Sequence, residues 1–168
     1  MSTNDISTSN ILINDLSINN LSINDFNLTK FMTNCVRDLT FSETYKLNSD
    51  SVMVIYLILS KYPKLLDDMG VHLKNIINDS VINNKDLPEM LLLMSEVLNT
   101  NTSELNKLKL TRKQVINFVK DVLIILIESK KIKINSTEKE IVLSLLDVSI
   151  KLLESKVNVK KVVSCFSF

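Results

Sequence analysis

The sequence predicts an all-α protein: a helical bundle of about five helices over residues 46–168, preceded by an extended, low-complexity N-terminal arm over residues 1–45. Three observations lead there. From about residue 48 onward, apolar side chains recur three and four positions apart, the spacing of one helix face. Capping residues stand ahead of these runs, and Pro63 and Pro88 fall where a first helical turn accepts proline. Finally, Gly70 is the only glycine in 168 residues. Parallel α/β enzymes and hairpin-rich β proteins use glycine at their turns, so helices joined by polar loops are favoured.

The arm differs in pattern from everything after it. An apolar residue recurs every fifth position, at Ile6, Ile11, Leu16, Leu21, Phe26, Phe31, Val36 and Phe41. That period scatters side chains around both a helix and a strand. Two readings are open. The pairs Asp15-Leu16, Asn20-Leu21 and Asp25-Phe26 resemble pentapeptide repeats, whose units each form one side of a square β-solenoid. Where that family places a small inward residue, however, this chain has Asn14, Asn19 and Asn24, and burying amides without partners is costly. The favoured reading is a low-complexity arm, extended or disordered until something binds it.

Five helices follow. Asp50 or Ser51 can cap the run Val52–Leu59, which is apolar all round and so expected to be buried. Pro63 leads Leu65, Leu66, Met69, Leu73, Ile76 and Ile77. Asp86, Pro88 and Glu89 introduce Met90–Leu98. Thr111 with Gln114 forms a capping box ahead of Val115–Ile127, and Thr137 with Glu140 forms a second ahead of Ile141–Leu153. A shift of 51 residues lays Glu89-Met-Leu-Leu92 on Glu140-Ile-Val-Leu143 and Asp86 on Thr137, which reads as a duplicated helical hairpin.

The same composition excludes several chemistries. One glycine cannot build a phosphate-cradling loop or a dinucleotide fingerprint. Cys35 and Cys165 lie far apart, His72 is the only histidine, and no zinc site of usual spacing can be written. Asp67 and Asp68 diverge by about 100 degrees around a helix and cannot share a face as a catalytic dyad. Met53, Met69, Met90 and Met94 sit among Leu and Ile and read as core. No catalytic residue, cofactor or metal is expected. Lys130, Lys131 and Lys133 lack interleaved aromatics, so no nucleic-acid partner is expected either.

Charge is laid out unevenly. Residues 1–99 hold 7 Lys and Arg against 12 Asp and Glu, while residues 100–168 hold 13 against 7. Such mild polarity suits the orientation of a partner. No basic segment followed by an apolar core opens the sequence, and the longest apolar run, Val52–Leu59, is far too short to span a bilayer. An intracellular protein with reduced thiols is expected. The ending Cys165-Phe166-Ser167-Phe168 formally fits a prenylation signal, with Ser167 where an aliphatic residue is usual. The favoured alternative is an apolar tail that docks on the bundle or on a partner.

The stretch Ile134–Asp147 (INSTEKEIVLSLLD), the continuation through Val159-Lys160-Lys161 to a Cys-Phe ending, and the helix start Lys85–Leu93 (KDLPEMLLL) resemble a recurring helical protein of nucleocytoplasmic large DNA viruses. The resemblance covers roughly residues 50–168. Some relatives are minor capsid or virion-associated proteins, so it implies a small helical block that cements larger shell proteins, in the virion or the host cytoplasm. Capsid or other virion proteins would then be the partners. Leu16, Leu21, Phe26 and Phe31 of the arm, with Cys165, Phe166 and Phe168 of the tail, are the residues expected to meet them. The competing expectation is a helical adaptor that captures a host partner helix, as small viral cell-death inhibitors do.

Overall fold

Seven helices run through the described residues of the computed structural model, which are 26–77, 83–99 and 107–155. In chain order they are α1 (Leu28–Cys35), α2 (Phe41–Thr44), α3 (Ser49–Lys61), α4 (Lys64–Ile77), α5 (Leu87–Asn99), α6 (Arg112–Glu128) and α7 (Ser136–Glu154). A 3-10 turn, Asn84–Asp86, leads into α5. The described residues are all-α, and the five helices α3 to α7 match the predicted bundle.

Helix starts follow from caps. Thr111 and Gln114 form the expected box: the Gln114 amide donates to Thr111 Oγ1 at 3.2 Å, and the Thr111 amide to Gln114 Oε1 at 2.9 Å. The box of α7 lies two residues earlier than the sequence reading put it. Asn135 accepts from the Glu138 amide at 3.0 Å while Glu138 accepts from the Asn135 amide at 2.7 Å. Asparagine caps as well as threonine at the same spacing, so the first competent pair takes the role. Likewise Asn48 caps α3, ahead of Asp50 and Ser51, by accepting from the Ser51 amide at 2.8 Å.

Helix ends solve the shortage of glycine in a way the sequence did not reveal. After α6, the Lys131 amide bonds back to the Leu126 carbonyl and the Lys130 amide to that of Ile127, each at 2.9 Å. After α2, Leu47 and Lys46 bond in the same pattern to Ser42 and Glu43, at 2.8 and 3.2 Å. This paired closure needs a left-handed residue just past the helix, a place where glycine is usual. Here Lys46 (φ 53°) and Lys130 (φ 57°) occupy it. A side chain in that conformation costs about 1–2 kcal/mol. Lys130→Gly is therefore expected to raise stability by about 1 kcal/mol, read as a higher denaturation midpoint with an unchanged slope.

The largest correction concerns the arm. Helices α1 and α2, within residues 26–45, pack against the bundle: Leu28, Met32 and Phe41 are buried, Met32 completely. The packed block therefore includes residues well before residue 46. The five-residue series supplies Phe41 but not Leu28 and Met32, which stand outside it and are spaced four apart, as one helix face requires. Residues 1–25, with half of that series, lie outside the described residues.

In the block, α1, α4, α5 and α7 form a row in which each packs on the next. Helices α3 and α6 pack together across that row, α3 reaching α1 and α6 reaching α5 and α7. Leu65, Leu66, Met69 and Leu73 of α4 meet Met90, Leu93, Met94 and Val97 of α5 in one core with Phe118, Val119, Val122 and Leu146. Gly70 lies where α1 crosses α4: a Cβ there would stand 3.4 Å from Leu28 Cβ. An added methyl would thus meet Leu28 at about ordinary contact distance.

Two further expectations change. Helix α3 is not buried all round: Val54, Ile55 and Ile58 face the core, while Met53 and Tyr56 are about half exposed. Met53 is therefore surface, unlike Met69, Met90 and Met94. The 51-residue register does pair α4 with α6 and α5 with α7, but the packing is not repeated. α4 lies extensively along α5, whereas α6 packs mainly on α3 and only lightly on α7. Val97 is buried, while its counterpart Val148 is 39% exposed.

Candidate functional site

Of the seven residues expected to meet partners, the structure places two. Phe26 and Phe31 lie side by side, ring centroids 5.9 Å apart, both partly buried against the core. The Lys131 ammonium sits 5.7 Å from the centre of the Phe31 ring, within the range of a cation–π contact. These rings anchor α1 to the block and to the α6–α7 connection, so they are not free side chains on an arm. Leu16, Leu21, Cys165, Phe166 and Phe168 lie outside the described residues.

Apolar surface is left elsewhere. Leu39, in the turn after α1, is fully exposed, and Met53 and Tyr56 are one turn apart on α3. The Tyr56 hydroxyl donates to the Val36 carbonyl at 2.7 Å, which ties α3 to the segment that carries Leu39 three residues later. Tyr56 keeps its polar end satisfied and offers its ring to solvent, the arrangement favoured at protein interfaces. Pattern alone hid the exposure of Met53 and Tyr56, because the run Val52–Leu59 is apolar throughout.

A second feature is the polar seam between α4 and α5. His72 Nδ1 lies 2.6 Å from Glu89 Oε1, and its Nε2 lies 2.7 Å from Glu96 Oε2. Asn75 Nδ2 donates to the same Glu89 oxygen at 2.9 Å. Glu89 and Glu96 stand seven apart, two turns of one face, so the imidazole fits between them. In the sequence His72 stood out only as the single histidine, without a set of zinc ligands. The signal available was this seven-residue spacing of glutamates, and it has meaning only once α4 is known to lie against α5. Among the described residues no group of three or more His, Cys, Asp and Glu side chains could hold a metal ion.

Two other ionisable groups sit in the block. Burial pushes the Cys35 thiol up, against a hydrogen bond with Tyr45 and the nearby Lys131 charge, which act in the other direction. A half-buried thiol held in its neutral form is a weak nucleophile. Asp121 of α6 is half-buried with one carboxylate oxygen, Oδ2, sealed from solvent and without a partner. Burial raises its pKa, and a hydrogen bond with Ser51 of α3 offsets this only in part. The ionised carboxylate thus opposes folding above its folded-state pKa, and the penalty is relieved as pH falls through that value. Asp121→Asn is expected to stabilise the fold at neutral pH by up to about 1 kcal/mol, a figure reduced for the half-open surroundings, with the gain shrinking in acid. Thermal melts of both forms across pH measure it.

Comparison with protein families, curated proteins and solved structures finds no match to this chain. Among the described residues no helix is long and apolar enough to cross a membrane.

Proposed function

We propose that this protein is a non-enzymatic interaction block, a virion-associated or minor capsid component of a large DNA virus that binds neighbouring shell proteins. The observation that carries the interaction part is the exposed apolar set Leu39, Met53 and Tyr56 beside a core already filled by aliphatic side chains. Exposed apolar surface gathered in one place favours association with protein, and the bond from Tyr56 to Val36 holds the turn that carries Leu39 to α3. The viral assignment rests on the resemblance of residues 50–168 and on the charge asymmetry, which suits docking in one orientation.

The experiment is quantitative mass spectrometry of washed, purified particles of the virus that encodes the chain. It compares the natural sequence with a Leu39→Asp/Met53→Lys double variant. The reading expects the natural chain at a fixed ratio to the shell proteins. It expects the variant, folded by circular dichroism, to be depleted at least about tenfold, the loss of about 1.4 kcal/mol of binding. A chain missing from particles and recovered instead with a host protein would replace this reading with the adaptor.

A further inference from the structure

We infer that His72, Glu89 and Glu96 form a proton-dependent clamp that fastens α4 to α5 when the imidazole carries both protons and slackens when it loses one.

The geometry leads to this directly. Each ring nitrogen is within 2.7 Å of its own glutamate oxygen. A neutral imidazole has one N–H and one lone pair, and an ionised carboxylate only accepts. A neutral ring can therefore satisfy one glutamate while presenting its lone pair to the other. An imidazolium donates to both, and two such charge-assisted bonds across one ring are short and strong. The side chains are not open to water in the manner of a surface pair: 15% of His72 and 23% of Glu89 are exposed, against 42% of Glu96.

Among the described residues, Glu96 and Glu89 are the charges that act on the ring. Glu89 and Glu96 are the only charged residues of α5. From α1, the other helix packed extensively on α4, the one charged residue is Lys30, which is exposed on the far side of that helix from the core. The contact of α1 with α4 runs through Thr29 Oγ1, which donates to Asp67 Oδ1 at 2.6 Å, away from the imidazole. On α4 itself Asp68 lies one turn before His72, and Lys74 is already engaged. The balance of these surroundings is favourable to the charged ring. Burial acts to lower the pKa of His72, but the hydrogen bonds with Glu96 and Glu89 and their negative charge outweigh it, and the pKa stands above the ordinary 6.5.

The sign follows. A histidine with a raised folded-state pKa contributes its stabilisation in full below about 6.5 and loses it as pH rises through the folded-state value. The seam is therefore tight in mild acid and loosens on the alkaline side. Because α4 also holds α1, through Leu28 against Gly70 and Thr29 on Asp67, loosening of the seam acts on α1 and α4 as a pair.

His72 is the only histidine of the chain, so the test has a single reporter. Ring-nitrogen NMR shifts of the uniformly labelled full chain are followed against pH. Both nitrogens are expected to keep imidazolium shifts above the ordinary histidine midpoint. Glu96→Gln is expected to move the titration midpoint down, and Glu89→Gln to do the same. In parallel, the melting temperature of the natural chain is expected to fall between about pH 6 and about pH 8 relative to His72→Gln, since no other side chain ordinarily titrates in that window. A midpoint at or below the ordinary value in the natural chain would overturn the clamp, whatever the variants do. So would a midpoint that neither glutamine substitution moves, or a melting difference that does not change with pH.

Discussion

Met32→Ala lowers the unfolding free energy by about 2–5 kcal/mol, the range for removing a fully buried methionine side chain from a packed core. Met32 has no exposed surface, and it packs with Leu28 into the cluster that includes Leu65, Leu66 and Met69. No water can fill an apolar gap of that size favourably, so the loss combines the missing transfer energy with the cavity left behind. Equilibrium denaturation with unchanged slope is the measurement. A loss within about 0.5 kcal/mol, the scale of ordinary surface substitutions, would mean that α1 detaches at little cost and that the N-terminal part of the chain is the loose arm its repeating pattern suggests.

Phe118→Ala is expected to cost about 3–5 kcal/mol. Phe118 is the largest of the fully buried side chains, and it sits on α6 where that helix meets both the α3 layer and the α5–α7 side of the row. Its ring is buried in the core cluster to which α3, α5, α6 and α7 all contribute. For a domain of this length a loss of that size is a large part of the usual total stability. The variant should melt far below the natural chain and bind hydrophobic dyes at temperatures where the natural chain does not. A melting temperature close to that of the natural chain would show that the two layers are held together elsewhere.

How much of this was legible beforehand depends on which signals are local. Caps and helical spacing are local, so α3 to α7 could be read, and the Thr111–Gln114 box was placed correctly. Where two cap candidates lay close together, as Asn135 and Thr137 do, only the folded chain shows which one the helix uses. The start of the block was misread for a different reason. The five-residue series and the repeated Asn and Ser text dominate residues 1–45, while Leu28 and Met32, which tie α1 to the core, are too few to show a helical period. The lysines that end α2 and α6 were unreadable for lack of glycine, because any side chain can be forced into that conformation when the surrounding hydrogen bonds over-determine it.

The two candidate surfaces are tertiary, and their legibility follows suit. An all-apolar run such as Val52–Leu59 does not say which of its faces is outside; the neighbouring helices decide, and they leave Met53 and Tyr56 uncovered. The His72 seam joins residues 17 and 24 positions apart. Neither glutamate stands out by itself, and Glu89 also sits in the first turn of α5, where an acidic residue is expected for the helix dipole alone.

The central claim is that α1 is part of the packed block. Hydrogen exchange with mass spectrometry on the full chain tests it most directly, by comparing amides of Leu28–Cys35 with those of Lys64–Ile77. The account predicts that α1 exchanges on the same slow scale as α4, since each holds the other's buried face, and that Met32→Ala speeds exchange in α1 first. Exchange of Leu28–Cys35 at the rate of an unstructured peptide, with α4 still protected, would contradict it and return those residues to a free arm.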